Sequence, residues 1–250
     1  MSTRVDPHVK ILDEQVARRA KERGIDVLVY APHFTRLPEI RERAARFSDD
    51  DLLVVPAREL FTGSWRNRKH VLALDLDEPV PDFLTLEATL SELDRQDAVV
   101  LAPHPEFASV SLDVVDLNRR PELFDGVEVY NPKHLGKHNR RAREVARGTG
   151  LPAFGSSYAH LAPTVGEVWT EFEGSVDSAG ELHGALRSGA PRRVFHRSGW
   201  THELRRRTEF AHLFWENSVE KVDRLVLSGT EDTHPRHPAY GGRFDDGAVY

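Results

Sequence analysis

The chain has 250 residues, 39% apolar and 30% charged, with a mean hydropathy of −0.49. That is the balance of a soluble globular protein with one large domain or two small ones. A net charge of −6 gives no overall basic field for nucleic acid, and the absence of cysteine excludes disulfides, thiolate zinc sites, iron–sulfur clusters and cysteine nucleophiles.

No apolar run approaches the ~20 residues that cross a bilayer, so no membrane association is expected. The N-terminal MSTRVDPHVK lacks the apolar core of a signal peptide, and a cytoplasmic location is expected. A first strand-like segment carries Asp6 and His8. Asp13 to Arg23 (DEQVARRAKER) has helical spacing, with Asp13 placed as its N-cap and Gly24 as its stop. The short apolar run Val27 to Ala31 leads to His33. Leu52 to Val55 leads to Arg58 and Glu59, and Val71 to Leu74 starts from His70. Thr85 to Arg95 reads as a helix, Ala98 to Ala102 runs into His104, and Gly126 to Tyr130 is followed by His134. Asn139 to Arg147 is again helical, and Leu151 to Phe154 precedes Tyr158 and His160.

This alternation predicts a parallel α/β protein, and strands apolar along their whole length predict a barrel inside a ring of helices. Residues 1–195 are expected to form the barrel domain. Residues 196–250 are expected to form an extension packed on it, helical from Trp200 to Leu227 with Leu204, Phe210, Leu213, Phe214, Val219, Val222 and Leu225 as its apolar stripe. An irregular tail from Ser228 completes it.

The informative feature is where the 13 histidines sit. His8, His33, His70, His104, His134 and His160 lie at successive strand ends, as does Glu59, and residues at strand ends of a barrel converge on one mouth. Imidazole and carboxylate in that arrangement point to a metal centre. His8 and Lys10 are two apart and share a strand face, but an ammonium only donates and gives no lone pair to a metal. Glu128 is expected to be structural. His196, His202, His212, His234 and His237 are expected to be surface or packing residues.

These landmarks resemble the PHP (polymerase and histidinol phosphatase) family, metal-dependent phosphoesterases built on a distorted barrel of seven β/α units. The family's opening Asp-x-His-x-His is similar to Asp6, Pro7, His8, Val9, Lys10, and its Thr-Asp-His to Ala31, Pro32, His33. Its Pro-Gly-x-Glu and later His-Val-Leu resemble Pro56 to Glu59 and His70 to Leu72. Its Ala-His-Pro resembles Pro103 to Pro105, its Glu-Val-Tyr-Asn is present as Glu128 to Asn131, and its closing Gly-Ser-Asp-Ala-His resembles Ser156 to His160. The resemblance implies a distorted (β/α)7 TIM-like barrel and a divalent cofactor, zinc, manganese or iron, as one or two ions.

The implied metal ligands are His8, His33, Glu59, His70, His104, His134 and His160, with His138 an alternative to His134. Lys10 and Tyr158 stand where the family has a histidine and an aspartate, so one metal site lacks two of its four ligands. Glu59, Lys10 and His104 are the implied catalytic residues, and Lys10 is placed to contact the substrate phosphate or to neutralise Glu59. Arg58, Arg66, Arg68 and Tyr158 are candidates for substrate binding, since arginine forks suit phosphate and a ring stacks on a base. Trp65 is a second stacking candidate. The implied activity is hydrolysis of a phosphate ester of a small metabolite or nucleotide, with nucleic acid less favoured by the acidity and the oligomeric state open. The loss at Lys10 and Tyr158 equally fits a non-catalytic, metal-binding interaction or regulatory module. A third reading, hydrolysis of a non-phosphate bond as in amidohydrolase barrels, lacks the expected His-x-His pair.

Overall fold

A computed structural model describes residues 2–64, 67–107, 110–205, 207–209, 211–212 and 232–249. β1 (Ser2–Val9), β2 (Val27–Tyr30), β3 (Leu53–Thr62), β4 (Lys69–Leu74), β5 (Val99–Ala102), β6 (Gly126–Tyr130) and β7 (Ala153–Gly155) alternate with α1 (Glu14–Glu22), α2 (Leu37–Phe47), α3 (Leu86–Arg95), α4 (Val114–Arg119) and α5 (Gly136–Thr149). β8 (Val168–Glu173), α6 (Ala179–Arg187) and β9 (Arg192–His196) follow. The strands form a sheet in the order β7-β6-β5-β4-β3-β2-β1-β8-β9.

The sheet nearly closes on itself. A parallel bridge joins Val9 to Ala159, and the Thr170 hydroxyl spans the β7–β8 seam, accepting from Gly155 N at 2.9 Å and donating to Gly155 O at 2.9 Å. Glycine is required there, because a Cβ would lie 2.4 Å from Val194 Cγ1.

The helices begin where local chemistry dictates. Asp13 accepts from Val16 N to cap α1, Thr85 accepts from Ala88 N to cap α3, and Gly150, at φ +72°, takes the left-handed turn that ends α5. Three apolar clusters fill the fold. One joins Val27, Val55, Leu72, Leu101, Phe154 and Phe172 to Leu182 and Leu186 of α6. Burying each leucine of that pair contributes roughly 1.5–3 kcal/mol. α6 thereby stoppers the barrel at the end where His183 and Arg187 pair with Asp75.

The expectation of an all-parallel sheet is corrected at β4, which is antiparallel to both β3 and β5. Among the described residues no helix lies between β3 and β4. Gly63, at φ +75°, starts the turn and passes so close to Asn67 O that a Cβ would lie 2.1 Å from it. β8 is likewise antiparallel to β1 and to β9.

The described part of the irregular tail lies against residues 82–85. Asp82 N donates to Thr233 O at 2.8 Å, Thr85 N to Gly247 O at 3.0 Å and Val249 N to Phe83 O at 2.9 Å. Tyr240 and Phe244 are buried in the cluster that covers β4, β5 and β6. Of the C-terminal segment, residues 200–205, 207–209 and 211–212 are helical. Leu204 is 56% exposed, so it does not join an apolar stripe, and Phe210, Leu213, Phe214, Val219, Val222 and Leu225 lie outside the described residues. No helix among the described residues is long and apolar enough to cross a membrane.

Candidate metal centre

Four strand ends deliver five side chains to one carboxylate of β3. Alternation along β3 sends Glu59 to the barrel interior, where it is fully buried. Its Oε2 lies 3.0 Å from His33 Nε2 and 3.4 Å from His8 Nε2, and accepts from Lys10 Nζ. Its Oε1 lies 3.1 Å from His70 Nδ1 and 2.9 Å from His104 Nε2. Burial alone would raise the Glu59 pKa, but the Lys10 ammonium foremost, with the imidazoles of His33, His8 and His70 around the carboxyl, outweighs it and holds the group well below its ordinary value.

The imidazoles respond oppositely. Burial, with Lys10 adding to it, pushes His8 and His33 down to about 3, and burial also lowers His70. At neutral pH the Glu59 carboxylate is ionised and the imidazoles of His8, His33 and His70 beside it are neutral, the protonation state that metal ligation needs. Ligand atoms of His33, Glu59 and His70 all lie within 4.8 Å of one another. His33 Nδ1 and His70 Nε2 are buried with no hydrogen-bond partner among the described residues. The donor set therefore fits a divalent ion of the borderline type that imidazole and carboxylate select.

Tyr158 covers this cluster, its ring centre 4.7 Å from that of His8, 5.4 Å from His104 and 5.0 Å from His160. Two ammonium groups face the same ring, Lys133 Nζ at 4.3 Å and Lys10 Nζ at 5.5 Å. Tyr158 and His104 both hold left-handed backbone, φ +47° and +33°, conformations that cost a non-glycine residue about 1–3 kcal/mol and that concentrate at functional sites. His104 is fixed on both sides. Its backbone N–H donates to Glu128 Oε2 at 2.8 Å, and its Nδ1 meets Ser111 Oγ at 3.0 Å. Glu128 also accepts from Asn131 Nδ2 at 3.2 Å and Ser156 Oγ at 2.5 Å.

His134 and His160 stand farther out. The His134 ring stacks on Phe107 at 4.0 Å and lies 6.3 Å from His104. His160 packs beside Tyr158, and its backbone N–H donates to Glu209 Oε1 at 3.1 Å. Burial holds both imidazoles well below their ordinary pKa. The substrate-binding role expected of Arg58 is corrected. It points to the opposite face of β3 from Glu59 and is fully buried, donating to Asp82 Oδ2 at 2.7 Å and Val80 O at 3.0 Å. Arg68 lies with its guanidinium 5.2 Å over the Phe61 ring, and Phe61 itself packs 4.9 Å from His70. Trp65 and Arg66 lie outside the described residues.

Two participants escaped the sequence reading. Lys133 and Glu209 form a buried ion pair at 3.2 Å. Glu209 Oε1 also accepts from Leu161 N at 2.9 Å and from Thr164 Oγ1. Asp6 accepts from Ser157 N at 2.9 Å and Gly166 N at 3.0 Å, tying β1 to the loop that carries Tyr158, and burial pushes its carboxyl up to about 6. Lys133 stands next to His134 in NPKH, the one local signal for it. Glu209 is 76 positions away by number and had none.

Comparison with known proteins places this geometry among relatives. Residues 136–191 match the family model described as PHP-associated. An uncharacterised protein of Methanocaldococcus jannaschii, MJ1587, is 27% identical over 119 residues, 48% of this chain and 66% of that protein, just under two thirds of its length. PsfC from Pseudomonas syringae superposes with a TM-score of 0.65 at 20% identity, over 87% of this chain and 99% of PsfC. The lesion-specific endonuclease Q of Pyrococcus furiosus does so with a TM-score of 0.58 at 14% identity, over 78% of this chain and 58% of that one. The PHP-associated match thus falls on α5 to α6 of the same barrel that carries the histidine-ringed glutamate, and the solved structures share its fold.

Proposed function

We propose that the chain is a metal-dependent hydrolase of phosphate esters. The observation that supports this most directly is the buried, ionised Glu59 shared by His33 and His70 in a group able to hold an ion. When bound, a divalent ion there supplies Lewis-acid polarisation of a phosphoryl oxygen and a lowered pKa for the attacking water. His33, Glu59 and His70 would hold that ion, with His8 and His104 against the same carboxylate and His134 and His160 at the margin.

The remaining work falls to the chain's own groups. His104, braced by Ser111 and by Glu128, donates a proton to the leaving oxygen. Tyr158 excludes bulk water and offers a ring face to the substrate. Arg68, one ring away from His70, binds the phosphate as an anion. The substrate is a phosphate ester of a small metabolite or nucleotide. A nucleic-acid substrate is a second reading, favoured by the likeness to a lesion-specific endonuclease.

The test is a panel of p-nitrophenyl phosphate, bis-p-nitrophenyl phosphate, sugar phosphates, nucleotides and an abasic oligonucleotide. Protein loaded with manganese or zinc is assayed beside Glu59→Gln purified identically. Turnover by the native chain alone is expected. Silence across the panel with metal bound would overturn the proposal in favour of a non-catalytic binding module, a reading that the Lys10–Glu59 contact supports.

A further inference from the structure

Lys10 is placed too firmly to be a bystander. Its backbone N–H donates to Ala159 O at 2.9 Å, which fixes it at the barrel closure. Its Nζ donates to Ala31 O at 2.8 Å and to Glu59 Oε2. The side chain is 5% exposed, and the Tyr158 ring lies over the ammonium. An ammonium has three donors and no lone pair, so on Glu59 it occupies coordination space without ligating. His8 shows the consequence. Its Nε2 sits 3.4 Å from the same oxygen that Lys10 engages, and its Nδ1 is buried without a hydrogen-bond partner among the described residues. An imidazole is thus aimed at a position already filled by a positive charge.

We propose that the Lys10 ammonium is a built-in cation that takes one position of the metal centre, so that the chain binds a single divalent ion, on the His33–Glu59–His70 side. This rests on the reading of the cluster as a metal centre, but not on any particular reaction. Glu59 is the common partner. Its Oε2 is committed to Lys10 and also faces His8 and His33, while its Oε1 faces His70 and His104. An ion held through Oε1 leaves Oε2 to the ammonium, whereas a second ion on Oε2 would stand within a few ångströms of a fixed positive charge in a buried setting, where repulsion is weakly screened. Chelation would therefore strip one charge from the centre and leave the other in place.

The experiment measures metal content by plasma mass spectrometry, after dialysis against manganese or zinc, for the native chain, Lys10→His and Lys10→Met. Thermal unfolding with and without metal accompanies it. One equivalent is expected in the native chain, two in Lys10→His, and in Lys10→Met one equivalent held about tenfold or more tightly. Two equivalents in the native chain overturn the proposal, as does a Lys10→His content equal to native. If either variant does not fold, anomalous scattering from metal-soaked native crystals decides: one peak beside His33 and His70 supports it, and a second peak between Lys10 and His8 overturns it. One bound ion without turnover on the ester panel would defeat only the proposed hydrolase. Turnover with two bound ions would defeat only the assignment of Lys10.

Discussion

Arg58 and Glu59, neighbours in β3, face opposite ways and form separate buried ion pairs. Arg58 meets Asp82 at 2.7 Å on one face, and Glu59 meets Lys10 on the other. Two adjacent residues thus serve two different ends. Asp82 spends its second oxygen on Phe61 N at 2.8 Å, so the Arg58 pair braces the β3–β4 region, whereas Glu59 gathers the imidazoles.

Replacing Arg58 with leucine separates these roles. It strands Asp82 in the core, and breaking one side of a buried pair costs about 3–5 kcal/mol. Chemical denaturation should show that loss, while metal content per folded molecule stays at the native value. A fall in metal content at unchanged stability would place Arg58 in the site after all.

Glu59→Gln should behave in the reverse manner. Metal uptake is expected to be lost, because the shared anionic ligand is gone. The buried Lys10 ammonium also loses its counter-charge, so apo-protein stability falls by about 3 kcal/mol or more. Metal analysis together with urea unfolding checks both parts, and retention of the ion by Glu59→Gln would contradict the assignment of Glu59 as hub.

Much of this arrangement was legible in the sequence, for local reasons. The helix at Asp13 and the strand runs at Val27 and Gly126 follow from a cap and β-branched runs, whereas α5 runs two residues past Arg147 to its left-handed stop at Gly150. Histidines at successive strand ends announced the cluster, because strand ends of a barrel share one mouth. The direction of β4 was not legible, since it depends on a tight turn at Gly63. Nor was the burial of Arg58, because nothing local to it signals Asp82. Lys133 and Glu209 meet only through the folded chain. The polar, glycine-rich composition of the tail disguised two buried rings.

Those rings, Tyr240 and Phe244, support a further prediction. Phe244→Ala should cost about 3 kcal/mol, and deleting residues 232–250 should cost more, because Asp82 N, Thr85 N and Val249 N all sit in the hydrogen bonds that join the tail to residues 82–85. Equal stability of the full-length and shortened chains in guanidinium would show that the tail is dispensable to the domain.

The acid limb of stability should report on Glu167. This carboxylate meets Arg23 at 2.6 Å, His202 at 2.5 Å and Arg205 at 2.8 Å, tying the helical residues 202 and 205 to the barrel. Burial opposes its ionisation, but the hydrogen bond from His202, the charge of Arg23 and the hydrogen bonds from Arg205 and Arg23 prevail, and its pKa lies below the ordinary 4.5. The unfolded state therefore binds a proton more readily than the folded state between the depressed value and 4.5. The stabilisation is fully present above 4.5 and is lost as pH falls through the depressed folded value. Unfolding free energies measured from pH 7 downward should drop more steeply for the native chain than for Glu167→Gln, and hydrogen exchange at residues 200–205 should accelerate in the same window. Parallel acid limbs for the two proteins would assign the anchoring of that segment to groups other than Glu167.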